Sequence, residues 1–576
     1  MKMLLKYLKS YTKESILGPL FKLLEASFEL FVPLVVAAII DVGIKDKDTN
    51  YVINMCLVLV ALGIIGLVCS VTAQYYAAKA SVGCAKRIRH DLFKHIQALS
   101  YSDVDKVGTS TLITRITSDT NQIQSGINLA LRLLLRSPLV VFGAMIMAFT
   151  IDTKSALIFV ATIPVLSVIV FGIILGCMPL YKKVQSALDK VLGITRENLS
   201  GARVIRAFGS EDAEVEKFTA SNNSLTQAQT FVGKISALLN PATYVIINVA
   251  IIVLIWTGAL QVEQGILTQG MVVALYNYMS QILVELIKLA NLIITITKSI
   301  ACAKRVGEVL DIEPSIKGAE SLPEAVDTPF AVEFSGASLR YNKTAELSLD
   351  DINLSVKKGQ TIGIIGSTGS GKTSLVNLIP RFYDVESGDV LVNGISVKDY
   401  PLEVLREKIG VVPQRSVLFK GTLRDNMRWG KKTATDEEIY SALELAQAKP
   451  FIDEKAKGLD LEVEQGGKNF SGGQRQRLAI ARALVSKPEI LILDDSASAL
   501  DYATDAALRK SLASIKPSPT VFIVSQRTSS IQHADNIIVL EDGQAVGIGT
   551  HNELLQTCQV YKEIYNSQFK GDVENV

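Results

Sequence analysis

Charge is scarce in this chain and nearly balanced. Charged residues make up 20% of the 576, with 59 Lys and Arg against 57 Asp and Glu, so the net charge is +2. That balance gives no bulk electrostatic case for binding nucleic acid. Cysteine is equally sparse. The six (Cys56, Cys69, Cys84, Cys177, Cys302 and Cys558) are scattered without metal-ligand spacing, several of them in apolar runs, and read as small packing residues. No small-residue cleavage site follows the basic, amphipathic start MKMLLKYLKSYTKE, so no cleavable signal peptide is expected.

Apolar sequence is abundant and unevenly placed. Apolar residues reach 48% and mean hydropathy is +0.30, high for a soluble protein. The long runs fill residues 15 to about 300; the remainder reads as an ordinary α/β sequence. A bilayer-spanning helix needs about 20 mostly apolar residues. Candidates lie at 16–41, 52–77, 127–150, 156–180, 242–264 and 270–296. The connections after the first, third and fifth are very short. Those after the second and fourth, 78–126 and 181–241, are long and carry Lys86, Arg87, Arg89, Lys94, Arg115, Lys182, Lys183, Arg196, Arg203 and Arg206. This excess of Lys and Arg places them in the cytoplasm, together with both termini. They keep helical periodicity, as in SALDKVLGITRENLSGARVIRAFGS, so the membrane helices are expected to continue into the cytoplasm as paired extensions.

Several charges fall inside the spans. Arg132 and Arg136 lie in the third, Glu285 and Lys288 in the sixth, and Glu25 and Glu29 share one face of the first. A charge at mid-membrane costs roughly 2.5–3.5 kcal/mol on insertion scales. Two readings of Glu25 and Glu29 follow: an acidic lining for a cationic substrate, with Glu285 as a further candidate cavity residue, or structural pairs with Lys22 or another helix's arginine. Pro33, Pro138, Pro164 and Pro179 are expected to bend their helices.

Residues 311–329, DIEPSIKGAESLPEAVDTP, hold three prolines and no apolar periodicity, the mark of a linker. The expected organisation is therefore an all-α polytopic membrane domain over 1–310, a linker over 311–329 and an α/β P-loop domain over 330–576. TIGIIG (361–366) is a β-run feeding GSTGSGKT (366–373), and SLVNLIPRF continues as a helix. In that context the backbone of Ser367, Thr368, Ser370 and Thr373 is expected to cradle phosphates, with Gly366, Gly369 and Gly371 allowing close approach. Lys372 reaches the β- and γ-phosphates and Thr373 ligates Mg²⁺. ILILDD (490–495) reads as a buried strand ending in acids, with Asp494 holding Mg²⁺ through water. Between them, NFSGGQRQRLAIARALV (469–485) sets two glycines before an amphipathic helix. The chain already has a phosphate loop, so this second anion site is expected to serve another nucleotide, across a dimer.

SGGQRQR followed by ILILDD resembles the signature and Walker B motifs of ABC transporters. Six membrane spans followed by a nucleotide-binding domain resemble a half-transporter of the exporter type, over nearly the whole chain. GTSTLITRITSD (108–119) and LSGARVIRAFGSEDAEVEKF (199–218) are similar to that family's cytoplasmic loop segments. The resemblance implies short coupling helices near 101–107 and 209–217. It implies that Tyr341 stacks on adenine, that Gln414 senses Mg²⁺ and γ-phosphate, and that Asp501 in SALD reaches a dimer partner. It also implies that Glu462 lies in the cross-interface loop, and that Ser471, Gly472, Gly473 and Gln474 complete the partner's ATP site.

Two positions depart from the pattern. The family's catalytic Glu is replaced by Asp495, and its switch His by Gln526 in IVSQR. Both changes in one site imply slow or absent hydrolysis there, while the signature is intact. The expectation is the degenerate-site subunit of a heterodimeric ATP-driven exporter in the bacterial plasma membrane. Its substrates are hydrophobic or amphipathic drugs, lipids or peptides, and its partner carries an ordinary Glu and His with an altered signature. A homodimeric exporter with slow hydrolysis, a non-transporting regulatory subunit and an importer on the same scaffold are the alternatives.

Overall fold

The computed structural model describes residues 2–324, 326–341, 346–455, 457–496 and 498–569. The chain divides into two compact units. One takes the chain up to Gln97 together with Thr109–Ile312; the other takes Ala98–Gly108 together with the chain from Glu313 onward.

The first unit is all helical. Its segments are α1 (Met3–Ile44), α2 (Thr49–Ala98), α4 (Thr109–Ile151), α5 (Thr153–Ala207), α6 (Glu211–Glu263) and α7 (Gln269–Leu310); a short helix α3 (Tyr101–Val107) belongs to the second unit. Among the described residues these six are long and apolar enough to cross a membrane. Each far exceeds the roughly 30 Å apolar core that about 20 residues span, and the extensions of α5 and α6 run alongside each other. Local chemistry sets the turns. Asp152 caps α5 by accepting from Ser155 N at 2.7 Å, so α4 and α5 join through a single residue. Asp41 of α1 accepts from Gly270 N at 2.7 Å at the start of α7. A side chain at Gly270 would stand 2.3 Å from the Ala37 carbonyl, so glycine permits this close approach of α1 and α7.

The prolines act unequally. α4 is interrupted at Leu134–Leu135, between Thr120–Leu133 and Arg136–Ile151. Pro138 has no N–H to offer the Leu134 carbonyl four residues back, which accounts for the break. Pro33, Pro164 and Pro179 lie inside continuous helix.

Phe159, Leu166, Leu254, Leu275, Tyr278 and Met279 form the fully buried centre of this unit, and the Tyr278 hydroxyl donates to Leu30 O at 2.5 Å. Beside it the intramembrane charges are paired. The Arg136 guanidinium donates to Glu285 and to Glu29 at 2.6 Å each; Ser137 and Lys288 donate to Glu285 at 2.8 Å; Lys22 bonds Glu25 at 2.5 Å. Glu285 is buried, whereas Glu29 is half open and borders two cavities. One, of about 590 Å³, is lined by Glu25, Glu29, Arg136 and the apolar Phe28 and Leu62; the other, of about 510 Å³, adds Glu285 and Lys288. Glu25, Glu29 and Glu285 are thus each paired with a cation, Glu285 in the interior and Glu25 and Glu29 only partly buried.

The second unit carries β1 (Phe330–Leu339), β2 (Leu349–Lys357), β3 (Thr361–Gly366), β4 (Ser387–Val392), β5 (Ile395–Ser396), β6 (Ile409–Val412), β7 (Gly421–Thr422) and β8 (Glu462–Val463). β9 (Ile490–Asp494), β10 (Thr520–Val524), β11 (Asn536–Glu541) and β12 (Gln544–Gly549) follow. A six-stranded sheet runs β12-β11-β3-β10-β9-β6, and a four-stranded antiparallel sheet runs β2-β1-β4-β5. β9 and β10 are buried at every position and pair in parallel, as their unbroken apolar runs require.

Arg136→Ala leaves Glu285 buried without its guanidinium. The expected loss is about 3–5 kcal/mol, read as a lowered unfolding midpoint in detergent. Arg136→Met combined with Glu285→Leu is expected to recover most of it.

Candidate functional site

The parallel register ends β9 and β10 level, with Asp494 opposite Val524, while β3, whose Ile364 faces Val524, runs on two residues to Gly366. Three loops therefore leave the same carboxyl edge, the position where open α/β sheets bind ligands. They carry the 366–373 loop, Asp494–Asp495 and Ser525–Gln526.

The loop turns through Gly369 (φ 89°) and Gly371 (φ 95°) into α8 (Lys372–Leu378). Gly366 has a different reason for being glycine: an added Cβ would meet the Leu540 carbonyl of β11 at 2.1 Å. The Lys372 ammonium folds back onto the loop, donating to Gly366 O at 2.9 Å and Ser367 O at 2.5 Å. Burial lowers its pKa, partly opposed by Asp495 and Asp494. Thr373 Oγ1 stands 3.1 Å from both carboxylate oxygens of Asp494. Burial, and then the neighbouring Asp495, raise the Asp494 carboxyl above its ordinary value against the pull of Thr373 and Lys372.

Asp495 sits in the left-handed backbone region, at φ 47°. Its N–H donates to Val524 O at 3.0 Å, and Gln414 Nε2 donates to its carboxylate at 3.3 Å. Gln476 and Ser498 donate to its carbonyl at 3.4 and 2.8 Å. Gln526 is exposed on the loop that leaves β10.

The structure therefore gathers Lys372, Thr373, Asp494, Asp495 and Gln414. Ser471, Gly472, Gly473 and Gln474 are not hydrogen-bonded to any of these five among the described residues. Those four open α9 (Gly472–Leu484), with Ser471 and Gln474 forming a reciprocal capping box. Among the described residues no hydrogen bond joins them to the 366–373 loop. A Cβ on Gly473 would meet the Ala499 carbonyl at 3.0 Å, so the signature lies against the SALD segment. Asp501 caps α10 (Tyr502–Ala513), accepting from Thr504 N at 2.8 Å and Thr504 Oγ1 at 2.9 Å; these bonds hold its carboxyl below the usual range. Glu462 is exposed on β8 opposite Thr422.

Sequence reasoning missed a line of aromatic contacts. Tyr341 donates to Ser374 Oγ at 2.9 Å and meets Tyr383 edge to face, with ring centres 4.9 Å apart. Tyr383 donates to Asp105 of α3 at 3.1 Å, and Tyr101 of α3 packs on Phe382 at 4.7 Å. α3 is also held by Asp103, between Tyr101 and Asp105, which accepts from both Ser315 N and Ser315 Oγ at 3.0 Å. Burial alone would raise the Asp103 carboxyl, but these donors and Ser100 outweigh it and the net shift is downward. The paired aromatics in RFYD, just past α8, were the available signal.

Residues 15–286 match the ABC transporter transmembrane region, and residues 349–498 match the family described as ABC transporter. An "Uncharacterized ABC transporter ATP-binding protein" of Mycobacterium tuberculosis is 36% identical over 572 residues, covering 98% of both chains. This chain belongs to the ABC transporters. A similarly named Bacillus subtilis protein is 36% identical over 565 residues with 98% of both chains covered. An ATP-dependent lipid A-core flippase of Desulfotalea psychrophila is 33% identical over 535 residues, 92% of each. The fold matches a bacterial Atm1-family ABC exporter with ATP bound, at a TM-score of 0.80 over 98% of this chain and 99% of that one, with 23% identity. The transporter is a multi-pass integral membrane protein with a cytoplasmic ATPase domain.

Tyr383→Phe deletes one hydrogen bond to α3 and keeps the ring. The expected result is unchanged ATP affinity with a two- to tenfold weaker stimulation of ATPase activity by transported compounds, measured on the reconstituted transporter. Asp103 adds a pH signature. Its carboxyl is lowered in the fold, so its stabilisation is complete above the unfolded value and disappears as pH falls through the folded one. The gap in unfolding midpoint between wild type and Asp103→Asn is expected to stay level above about pH 5 and to shrink below about pH 4.

Proposed function

We propose that this ABC transporter chain is one half of a heterodimeric, ATP-driven exporter of hydrophobic or amphipathic compounds in the bacterial plasma membrane. Within it, 1–310 acts as the membrane domain, 311–329 as the linker and 330–576 as the ATPase domain. The observation that carries the proposal is the coincidence of Asp495 and Gln526 on one carboxyl edge with an unaltered Ser471-Gly472-Gly473-Gln474 elsewhere on the chain.

The donor set suits Mg²⁺ and ATP. Thr373 Oγ1 and the Asp494 carboxylate supply hard oxygen ligands within 3.1 Å of each other, and Gln414 lies beside them through Asp495. Thr373 and Asp494 would hold a Mg²⁺ ion, which would supply charge neutralisation for the phosphates. Lys372 exchanges its loop carbonyls for phosphate, Ser367–Thr373 supply backbone N–H groups, and Tyr341 offers its ring to adenine. Orienting an attacking water falls to Asp495. Asp is one methylene shorter than Glu, and a displacement of about 1 Å can cost about 100-fold in rate. The left-handed backbone at this position suits a short Asp better than a Glu. Gln526 keeps donor and acceptor groups but cannot carry an imidazole's charge. This chain's own site then holds ATP and hydrolyses it slowly or not at all. Its signature, at the capped start of α9, completes the partner's hydrolysing site, and Asp501 reaches across with it.

ATP binding at this carboxyl edge is relayed to α3 through Tyr341 and Tyr383. Glu25, Glu29 and Glu285 border the paths where an amphipathic substrate meets polar groups inside the membrane. The lipid A-core named for the flippase relative is an amphiphile, which supports that class.

The chain alone is expected to show at most about a tenth of the ATPase rate of the chain co-purified with its partner. Equal rates would rule out the division of labour. Asp495→Glu with Gln526→His is expected to create a second hydrolysing site; simple inactivation of the complex would contradict the roles given to both residues.

A further inference from the structure

The loop carrying Gln526 is fastened from far away in the chain. Gln568 stands in the last turn of α12 (Gln559–Phe569), 42 residues beyond it. Its Nε2 donates to Gln526 O at 2.7 Å, while its Oε1 accepts from Thr528 N at 2.9 Å and from Thr528 Oγ1 at 2.8 Å. Thr528 opens the short helix α11 (Thr528–Ile531), whose N-cap residue Arg527 makes no side-chain cap. Gln568 supplies from a distance the acceptor that such a helix start needs. Both ends of one side-chain amide thus grip the residues on either side of Arg527.

Gln568 is exposed, so it adds little to the core, and its contribution lies in these bonds. The helix behind it is firmly seated: Tyr561 is fully buried, and its hydroxyl is 2.7 Å from His551 Nδ1. The other side of the loop is tied to the SALD segment through Arg527, which donates to Ser498 O at 3.2 Å and Leu500 O at 3.4 Å.

We propose that Gln568 is a positioning residue of the ATP site, holding the backbone from which Gln526 projects, and that seating of α12 sets how long ATP is retained there. This rests on the reading of Gln526, in the switch-His position, as one of the residues that contact the nucleotide. Gln568 touches no phosphate; it acts through the Gln526 and Thr528 backbone.

The test uses the intact two-chain transporter loaded with Mg-8-azido-ATP and chased with ATP. Ultraviolet cross-linking at intervals reports label retained on this chain. Gln568→Ala and Gln568→Met are each expected to speed loss of label about three- to tenfold, with the Thr528 amide losing exchange protection. Met keeps the bulk and the helix, so a Met variant that behaves as wild type while Ala does not would reduce Gln568 to packing and overturn the proposal. Gln526→Ala is expected to speed release similarly, and the double variant no further, because both act on one contact. Multiplying effects, or unchanged release in Gln568→Ala beside faster release in Gln526→Ala, would overturn the clamp alone. Unchanged release in both single variants would overturn the clamp together with the role of Gln526.

Discussion

The ATP site depends on one register: β9 and β10 end level beside β3, which runs two residues further into the 366–373 loop, so that Thr373 and the buried Asp494 face each other at 3.1 Å. A one-residue slip in a parallel strand would turn every side chain to the opposite face, and Asp494 would leave the loop. The runs TIGIIG, ILILD and TVFIV are apolar almost throughout because both faces of the sheet are covered. What looks like plain hydrophobic filler in the sequence is therefore the element that aligns the polar chemistry. Lys372, Gln414 and Asp495 are placed by the same edge, and the Gln526 loop leaves from it.

Around that edge the polar contacts point outward along two routes. One runs from Tyr341 through Tyr383 to Asp105 on α3, a helix that groups with the ATPase unit although it follows a membrane span in the chain. The other runs from the Gln526 loop to Arg527 and the SALD segment on one side and to Gln568 on the other. In the membrane unit the corresponding anchor is Arg136, which gathers Glu29 and Glu285 from two other helices. Each arrangement pays for a buried or constrained polar group with several directed bonds, as low-dielectric surroundings demand.

Much of this was legible in the residues. Six long apolar segments and an α/β half follow from hydropathy and periodicity, which are local properties. GSTGSGKT and ILILDD announce their places because strand, loop and helix signals adjoin them. Other features were not legible because they depend on distant partners or on backbone angles. The left-handed conformation of Asp495 is invisible in ILILDD. The break at Leu134–Leu135 was expected only as a bend at Pro138, since how far a helix opens depends on what packs against it. That Glu29 and Glu285 share Arg136 is likewise not readable from sequence, since the three residues come from three different helices. Gln568 carries no motif, and Tyr383 only the paired aromatics of RFYD; their partners lie 40 or more residues away in one case and 278 in the other.

The central claim is that ATP bound between this chain's own Walker residues outlasts turnover at the partner's site. Photo-cross-linking after several turnovers, in parallel with α-labelled and γ-labelled azido-ATP, measures this on the separated chain. Equal α and γ label on this chain, beside γ label lost from the partner, is the result expected if Asp495 and Gln526 retain ATP uncleaved. Loss of γ label from this chain at the partner's rate would show two working sites and contradict it.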